Sequence, residues 1–171
     1  MLAVSQRLDD FLKLQNHREV RRILKGFAEG SDLVWFDRVP VAVCKRWVRL
    51  AQHHLRVARL LTSSHRNWRS VVSRCYYAVY TSSRTVRYYV SGFAKFDPED
   101  HKKVGDLPDD FPNKSRWSNF AVELRRDRNL ADYEPWEHVR RSLTYEPTDA
   151  LEESSRFVRE CRAYLRQRGV L

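Results

Sequence analysis

The sequence predicts an all-α protein, an up-and-down helical bundle of about five helices with an added N-terminal helical element. Apolar residues recur at steps of three and four over several long segments, which is the spacing of one helix face. Only 5 glycines and 6 prolines interrupt the 171 residues, and 32% of the residues are charged. This combination favours amphipathic helices over a β-sandwich or a barrel.

The chain is predicted to divide into an N-terminal helical extension, residues 1–39, and a bundle domain, residues 40–171. One or two short helices are expected in the extension. Gly30 with the Ser-Asp pair after it is interpreted as a helix stop, because glycine and short polar residues commonly interrupt helices. The next residues, Leu-Val-Trp-Phe, are interpreted as extended chain leading to Pro40.

Two long helices are predicted next. The first begins at Pro40 and ends before Ser63, and the second runs from about Asn67 to Ser91. The buried face of the first comprises Trp47, Leu50, Ala51, His54, Ala58 and Leu61. The apolar stripe of the second comprises Trp68, Val71, Val72, Cys75, Val79, Ser82, Val86 and Val90. A further stripe on the second helix mixes basic and aromatic residues: Arg74, Tyr77, Thr81, Arg84 and Tyr88.

Residues 92–115 are predicted to form a loop, because three prolines and two glycines fall within them. A single turn of helix is expected near Asp100–Val104. The segment carries six carboxylates, but it lacks the alternating ligands and the closing glutamate of a calcium loop. We therefore interpret these carboxylates as solvated and predict no metal site.

Two more helices complete the predicted bundle. The third resumes near Arg116 and ends or kinks at Pro135, and its buried face comprises Trp117, Phe120, Ala121 and Leu124. One more turn along that face lies Arg128, whose buried guanidinium would need a carboxylate, a phosphate or solvent. Asp132, four residues on, is the expected local partner. The last helix starts after Pro147, with Thr148 or Asp149 as its cap.

Charge and composition narrow the classes of function. The formal net charge is +10, which predicts a surface that attracts polyanions such as nucleic acid. The three cysteines are odd in number and widely spaced, so they are expected to be small buried residues and not disulfides or zinc ligands. No segment is apolar enough to cross a membrane, and the acidic start does not resemble a signal peptide. These features favour a cytoplasmic location.

Three strings of residues together resemble the HEPN superfamily, helical domains of bacterial and archaeal toxin–antitoxin and defence modules. They are AQHHLRVARLL at residues 51–61, VVSRCYYAVYTSSR at residues 71–84 and LRRDRNLADYEP at residues 124–135. The likeness is to the branch with a Ser-Arg-x-Tyr-Tyr-Ala helix and an Arg-x-x-Ala-Asp-Tyr helix end, and it covers about residues 45–168. It implies a bundle of about five helices, often paired as a homodimer.

The resemblance also implies a chemistry. In the ribonuclease members of the family, an arginine followed after four to six residues by a histidine cleaves RNA without metal. Imidazole moves the proton of the attacking 2′-hydroxyl, and guanidinium stabilises the charge on phosphorus. Here Arg128 occupies the arginine position, but residues 129–135 contain no histidine. Any ribonuclease activity would need another base, and His138 and His101 are the two candidates.

Three functions follow as alternatives. The leading one is a HEPN protein of a toxin–antitoxin or antiviral defence module that binds RNA or a nucleotide beside a partner protein, for which the resemblance suggests a nucleotidyltransferase. The expected ligand-binding residues are Arg74, Tyr77, Arg84, Arg125, Arg128, Asn129, Asp132 and Tyr133. The second is a metal-independent ribonuclease in which Arg128 is catalytic. The third is an adaptor without ligand, in which residues 1–39 grip a larger complex. No cofactor is expected for any of them.

Overall fold

The computed structural model describes residue 22 and residues 30–92 and 98–171, with backbone alone for residues 31–36. Four long helices organise this part of the chain: α1 (Gly30–Leu61), α2 (Trp68–Ser91), α3 (Lys114–Tyr133) and α4 (Pro147–Gln167). Short 3-10 helices lie between them at His65–Asn67, Pro98–Lys103 and Glu137–Ser142. The described residues contain no strand, which confirms the all-α class. The short helices predicted in residues 1–29 lie outside the described residues.

α1 begins earlier than predicted. The stop at Gly30 and the extended segment before Pro40 were wrong, because the helix starts at Gly30 and continues through Pro40. Proline in a helix interior removes one backbone hydrogen bond. Val39 and Val43, on either side of Pro40, are both buried and four residues apart, so burial of one continuous face opposes that loss. α1 therefore begins inside the segment assigned to the extension.

α2 lies at the centre of the bundle and packs against α1, α3 and α4. Its bounds agree with the prediction to within one residue. Ala78, Ser82 and Ser83 are almost completely buried, so small side chains line its contacts with neighbouring helices. Gly92 ends the helix in the left-handed region, with φ of 74°, and its N–H donates to the carbonyl of Tyr88.

The predicted buried faces are mostly confirmed. Trp117, Phe120, Ala121 and Leu124 of α3 are all buried. Leu50 of α1 is an exception at 44% exposed, because it lies about a quarter of a turn from the line through Ala51 and Ala58. The three cysteines are buried thiols, as predicted. Burial raises the pKa of Cys44 and of Cys75 to about 12, which keeps both protonated.

The connection from α3 to α4 is held by a buried carboxylate. Asp127 is 1% exposed and accepts the backbone N–H groups of Thr144 and Tyr145, each at 2.9 Å. α4 then begins with Pro147 at its first position, where a fixed φ suits a helix start. The predicted caps Thr148 and Asp149 were therefore wrong, since both lie within the first turn.

No helix among the described residues has the length and apolar character needed to span a lipid bilayer.

Candidate functional site

A cavity of about 560 Å³ opens between α2, α3 and the 3-10 helix Pro98–Lys103. Four tyrosines contribute to its lining, Tyr76, Tyr77, Tyr80 and Tyr133. Three arginines face it as well, Arg84, Arg125 and Arg128. The remaining lining residues are Pro98, His101 and Asn129. We call this set the cleft. It combines cationic groups with aromatic rings, and its α2 residues share one face because they follow helical spacing.

Arg128 is the most heavily bound group of the cleft. Its Nε lies 2.6 Å from Oδ2 of Asp132, and its side chain is 16% exposed. Nη2 donates to the hydroxyl of Tyr77 at 3.0 Å, and Nη1 donates to the hydroxyl of Tyr133 at 3.2 Å and to Oδ1 of Asn129 at 3.2 Å. The guanidinium is thus oriented before any ligand arrives.

The surroundings of Arg128 also determine its charge. Burial alone would lower its pKa, but the bond to Tyr133 and the charge of Asp132 raise the pKa above its ordinary value. The guanidinium carbon lies 5.7, 5.5 and 5.1 Å from the ring centres of Tyr76, Tyr77 and Tyr133, within cation–π range. Arg128 therefore forms the predicted ion pair with Asp132, and it also borders an open cavity.

His101 completes the wall opposite Arg128's helix. Its Nδ1 is hydrogen-bonded to the hydroxyl of Tyr76 at 2.6 Å, and its ring stacks on Tyr80 at 4.0 Å between centres and 10° between planes. Burial, followed by the charges of Arg128 and Arg125, lowers the pKa of His101 below its usual value. This direction favours the neutral form of the imidazole.

A buried carboxylate anchors the segment that carries His101. Asp100 is 2% exposed and accepts hydrogen bonds from Tyr80 at 2.9 Å and from Nη1 and Nη2 of Arg87 at 2.8 and 3.1 Å. The Nε of Arg84 lies 3.7 Å away. Burial favours the neutral acid, but the bonds from Arg87 and Tyr80 prevail and lower the pKa of Asp100. The prediction that the loop carboxylates are all solvated was therefore wrong.

Most of the predicted ligand-binding residues come together. Tyr77, Arg84, Arg125, Arg128, Asn129 and Tyr133 line the cleft. Asp132 borders it through its ion pair with Arg128. Arg74 does not line the cleft, because it lies about a quarter of a turn or more from Tyr76, Tyr80 and Arg84 around α2. Arg74 instead lies near His54. The pKa of His54 is lowered, first by burial and then by the charge of Arg74.

Sequence reasoning missed part of the lining. Tyr76 and Tyr80 were not among the predicted ligand-binding residues, and both are buried, yet they also face the cavity. Of the two histidines considered, His101 enters the cleft and His138 is exposed outside it. The sequence signal for His101 was its position beside Asp100, in a short predicted turn that follows a helix rich in tyrosine.

The cleft's chemistry is that of anion and ring recognition. Arginine forks match phosphate and carboxylate groups, and phenol rings offer faces for stacking. No cluster of three or more His, Cys, Asp or Glu side chains suited to a metal ion occurs in the part of the chain that the structure describes. No protein-family model matches the sequence, and neither the curated proteins nor the solved structures include a significant match to it.

Proposed function

We propose that this chain is a HEPN-type protein of a prokaryotic toxin–antitoxin or antiviral defence module, and that its cleft binds RNA or a nucleotide. The observation that carries the binding proposal is the position of Arg128, held among three tyrosine rings at the edge of an open cavity of about 560 Å³. The family and its biological role are supported by the three sequence strings alone.

The bonds of Arg128 suit an exchange of partners. Two of its acceptors are tyrosine hydroxyls and one is an amide oxygen, all of them neutral. A phosphate oxygen forms charge-assisted hydrogen bonds that are roughly twice as strong as neutral ones. A phosphate entering the cleft would therefore displace one or more of these neutral acceptors, while Asp132 continues to orient Nε.

The rings supply the second half of the recognition. Tyr133 is 68% exposed at the edge of the cleft, and the partly buried ring of Tyr77 lies near the guanidinium of Arg128. Bases stack on such rings without strong sequence preference, with about 1–3 kcal/mol for each stacked base. The expected ligand is consequently single-stranded RNA or a nucleotide, with its phosphate at Arg128 and a base against Tyr77 or Tyr133.

A second candidate function is metal-independent RNA cleavage, which the position of His101 favours. The pKa of His101 is lowered, which favours the neutral imidazole, and the ring lines the same cavity as Arg128. A neutral imidazole whose proton is on Nδ1, donated to the hydroxyl of Tyr76, accepts the proton of a 2′-hydroxyl at Nε2, and a guanidinium stabilises the charge that develops on the phosphate. The test is cleavage of single-stranded RNA in the presence of EDTA. Loss of product in both Arg128→Ala and His101→Gln supports the activity, and unchanged cleavage in either variant contradicts it.

The proposed protein partners follow from the family resemblance alone. A homodimer and a nucleotidyltransferase-type partner are the expected assemblies. The competing adaptor function, with residues 1–39 gripping a larger complex, predicts no RNA binding at low salt. RNA binding that weakens steeply with salt, because phosphate contacts release counterions, separates the two functions.

The test of the binding proposal is fluorescence anisotropy with a labelled single-stranded RNA of about 12 nucleotides, at about 50 mM salt. Arg128→Ala is expected to weaken binding about tenfold or more, which corresponds to about 1.4 kcal/mol. Arg156→Ala is the matched control, because Arg156 also pairs with carboxylates one turn away, Glu152 and Glu153, but does not line the cleft. Equal affinity of the two variants would contradict the proposal.

A further inference from the structure

A second cavity, of about 580 Å³, lies between α1 and α4. Five arginines line it, Arg49, Arg56 and Arg59 from α1 and Arg159 and Arg162 from α4. We call this set the arginine groove. The two helices run antiparallel along it, since Arg59, near the end of α1, donates to Ser155, near the start of α4, at 3.2 Å.

None of the five arginines forms an ion pair with a carboxylate in the described part of the chain. Ser155 is a neutral partner for Arg59, and the Nε of Arg162 is buried without an acceptor. Elsewhere, arginines such as Arg87, Arg116 and Arg168 each contact an acidic side chain. Uncompensated like charges in one groove repel each other and attract anions from solution.

The spacing of these arginines fits a strand of phosphates. Positions 49, 56 and 59 of α1 extend over about 15 Å at a rise of about 1.5 Å per residue. Successive phosphates of one nucleic-acid strand follow about every 3.4 Å along a duplex axis, so that length matches several of them. Each guanidinium can bind a phosphate through two parallel hydrogen bonds.

The rest of the lining indicates that such a strand would be held by its backbone alone. Among the described residues, no aromatic side chain lines the groove, and its apolar residues are Leu55 and Val158. Bases would therefore find no ring to stack on. An acidic helix of a partner protein would need several apolar pockets for its anchoring side chains, and two aliphatic residues do not provide them.

We propose that the arginine groove is a second binding site, separate from the cleft, for the phosphodiester backbone of a nucleic-acid strand. It rests on five guanidiniums that have no carboxylate partner among the described residues, and not on the proposed function of the cleft. Arginine contacts to phosphate carry no sequence information, so the groove would increase affinity without selecting a sequence.

The test is the salt dependence of RNA binding by the full chain. In Arg56→Gln/Arg159→Gln, the slope of log affinity against log salt should fall by about 1.4, because each phosphate contact to a single strand contributes about 0.7. The matched control is Arg66→Gln/Arg141→Gln, which removes two exposed arginines outside both cavities and should leave the slope nearly unchanged. The charge-preserving variant Arg56→Lys/Arg159→Lys should keep most of the slope. Equal slopes in the groove and control variants would overturn the proposal.

Competition experiments in the Arg128→Ala variant identify the class of ligand. RNA binding that remains in this variant is expected to occur at the arginine groove. Unlabelled RNA should displace the labelled strand at lower phosphate concentration than inorganic tripolyphosphate does. If tripolyphosphate displaces the labelled strand equally well, the ligand of the groove is a compact polyphosphate. If polyglutamate does so, the ligand is an acidic protein segment. Either result overturns the proposal as stated.

The two sites fail separately. If Arg128→Ala weakens RNA binding and the groove variant does not, the groove proposal is wrong and the function of the cleft stands. If only the groove variant weakens binding, the proposed function of the cleft is wrong.

Discussion

The cleft and the arginine groove are both lined by arginine, but they hold their charges differently. In the cleft, Arg128 contacts a carboxylate, two hydroxyls and an amide, with three rings around it. In the groove, no carboxylate of the described chain pairs with any of the five arginines. An oriented guanidinium beside rings can recognise a particular group, whereas exposed arginines act mainly as a field that salt screens.

The difference arises from what each pair of helices presents. α2 contributes tyrosines at the same face as Arg84, and the 3-10 helix Pro98–Lys103 closes over them through Asp100. α1 and α4 contribute long basic side chains, and the other described residues that line the groove are Gln52, Leu55, Ser155 and Val158. The cleft therefore depends on a specific packed arrangement, and the groove depends on charge alone. Substitutions should separate the two accordingly.

The largest expected effect is on the anchor of the cleft. Asp100→Asn removes the buried charge that Arg87 and Tyr80 bind, and Arg87 loses its carboxylate partner. Breaking a buried pair in this way should lower the free energy of unfolding by about 3 kcal/mol. Urea denaturation followed by circular dichroism measures the change.

Glu152→Gln serves as the comparison for that variant. It removes an exposed carboxylate that pairs with Arg156, and surface pairs of this kind contribute at most about 1 kcal/mol. Equal losses in the two variants would show that Asp100 is not a structural anchor.

A smaller effect is expected for the ring of Tyr77. Tyr77→Ala should weaken RNA binding by about 1–2 kcal/mol, because a base loses its stacking surface. Tyr77→Phe keeps the ring and removes only the hydroxyl that accepts from Arg128, so its affinity should stay close to that of the unmodified chain. Anisotropy titrations of both variants test this. If Tyr77→Ala and Tyr77→Phe weaken RNA binding equally, the effect comes from the hydroxyl, and the stacking role is contradicted.

The smallest effect concerns pH. The pKa of His101 is lowered in the folded protein, so the unfolded chain takes up a proton first as pH falls. Stability from this group is fully present above about pH 6.5, the ordinary pKa of histidine, and declines as pH falls toward the folded pKa. His101→Gln should flatten the dependence of stability on pH in this range. An unchanged pH profile would mean that His101 has the same pKa in both states.

The Asp100 carboxylate acts in a separate pH window. Its folded pKa is lowered, so its contribution is complete above about pH 4 and is lost as pH falls through the folded pKa. Measurements between pH 5 and 7 therefore exclude Asp100, and the variant His101→Gln separates His101 from His54, whose pKa is also lowered.

The sequence predicted the helices well, because repeated burial determines their faces. The buried faces of α2 and α3 each contain many apolar residues, so a wrong assignment at one position does not change the predicted helix. The start of α1 could not be located from residues 30–40, since glycine followed by serine and aspartate suits either the end or the beginning of a helix. Pro40 suggested a boundary, but burial of Val39 and Val43 continues through it.

The site was predicted only in part, for a geometric reason. Arg128 and Tyr133 were recognisable because they share one helix end with Asp132. His101 reaches the cleft from another segment, and its position depends on the burial of Asp100 against α2. Neither contact follows from spacing along one helix. The arginine groove likewise requires the antiparallel pairing of α1 and α4, which no local pattern reveals.

The most direct test of the cleft as a ligand site is photocrosslinking to single-stranded RNA that contains 4-thiouridine, followed by trypsin digestion and mass spectrometry. We predict crosslinks in the peptides of residues 75–84 and 129–140, which contain the cleft tyrosines. In Arg128→Ala, trypsin releases residues 127–140 as one peptide, and we predict that this peptide and the peptide of residues 75–84 both lose their crosslinks. Crosslinks confined to other peptides, or unchanged in that variant, would contradict the account.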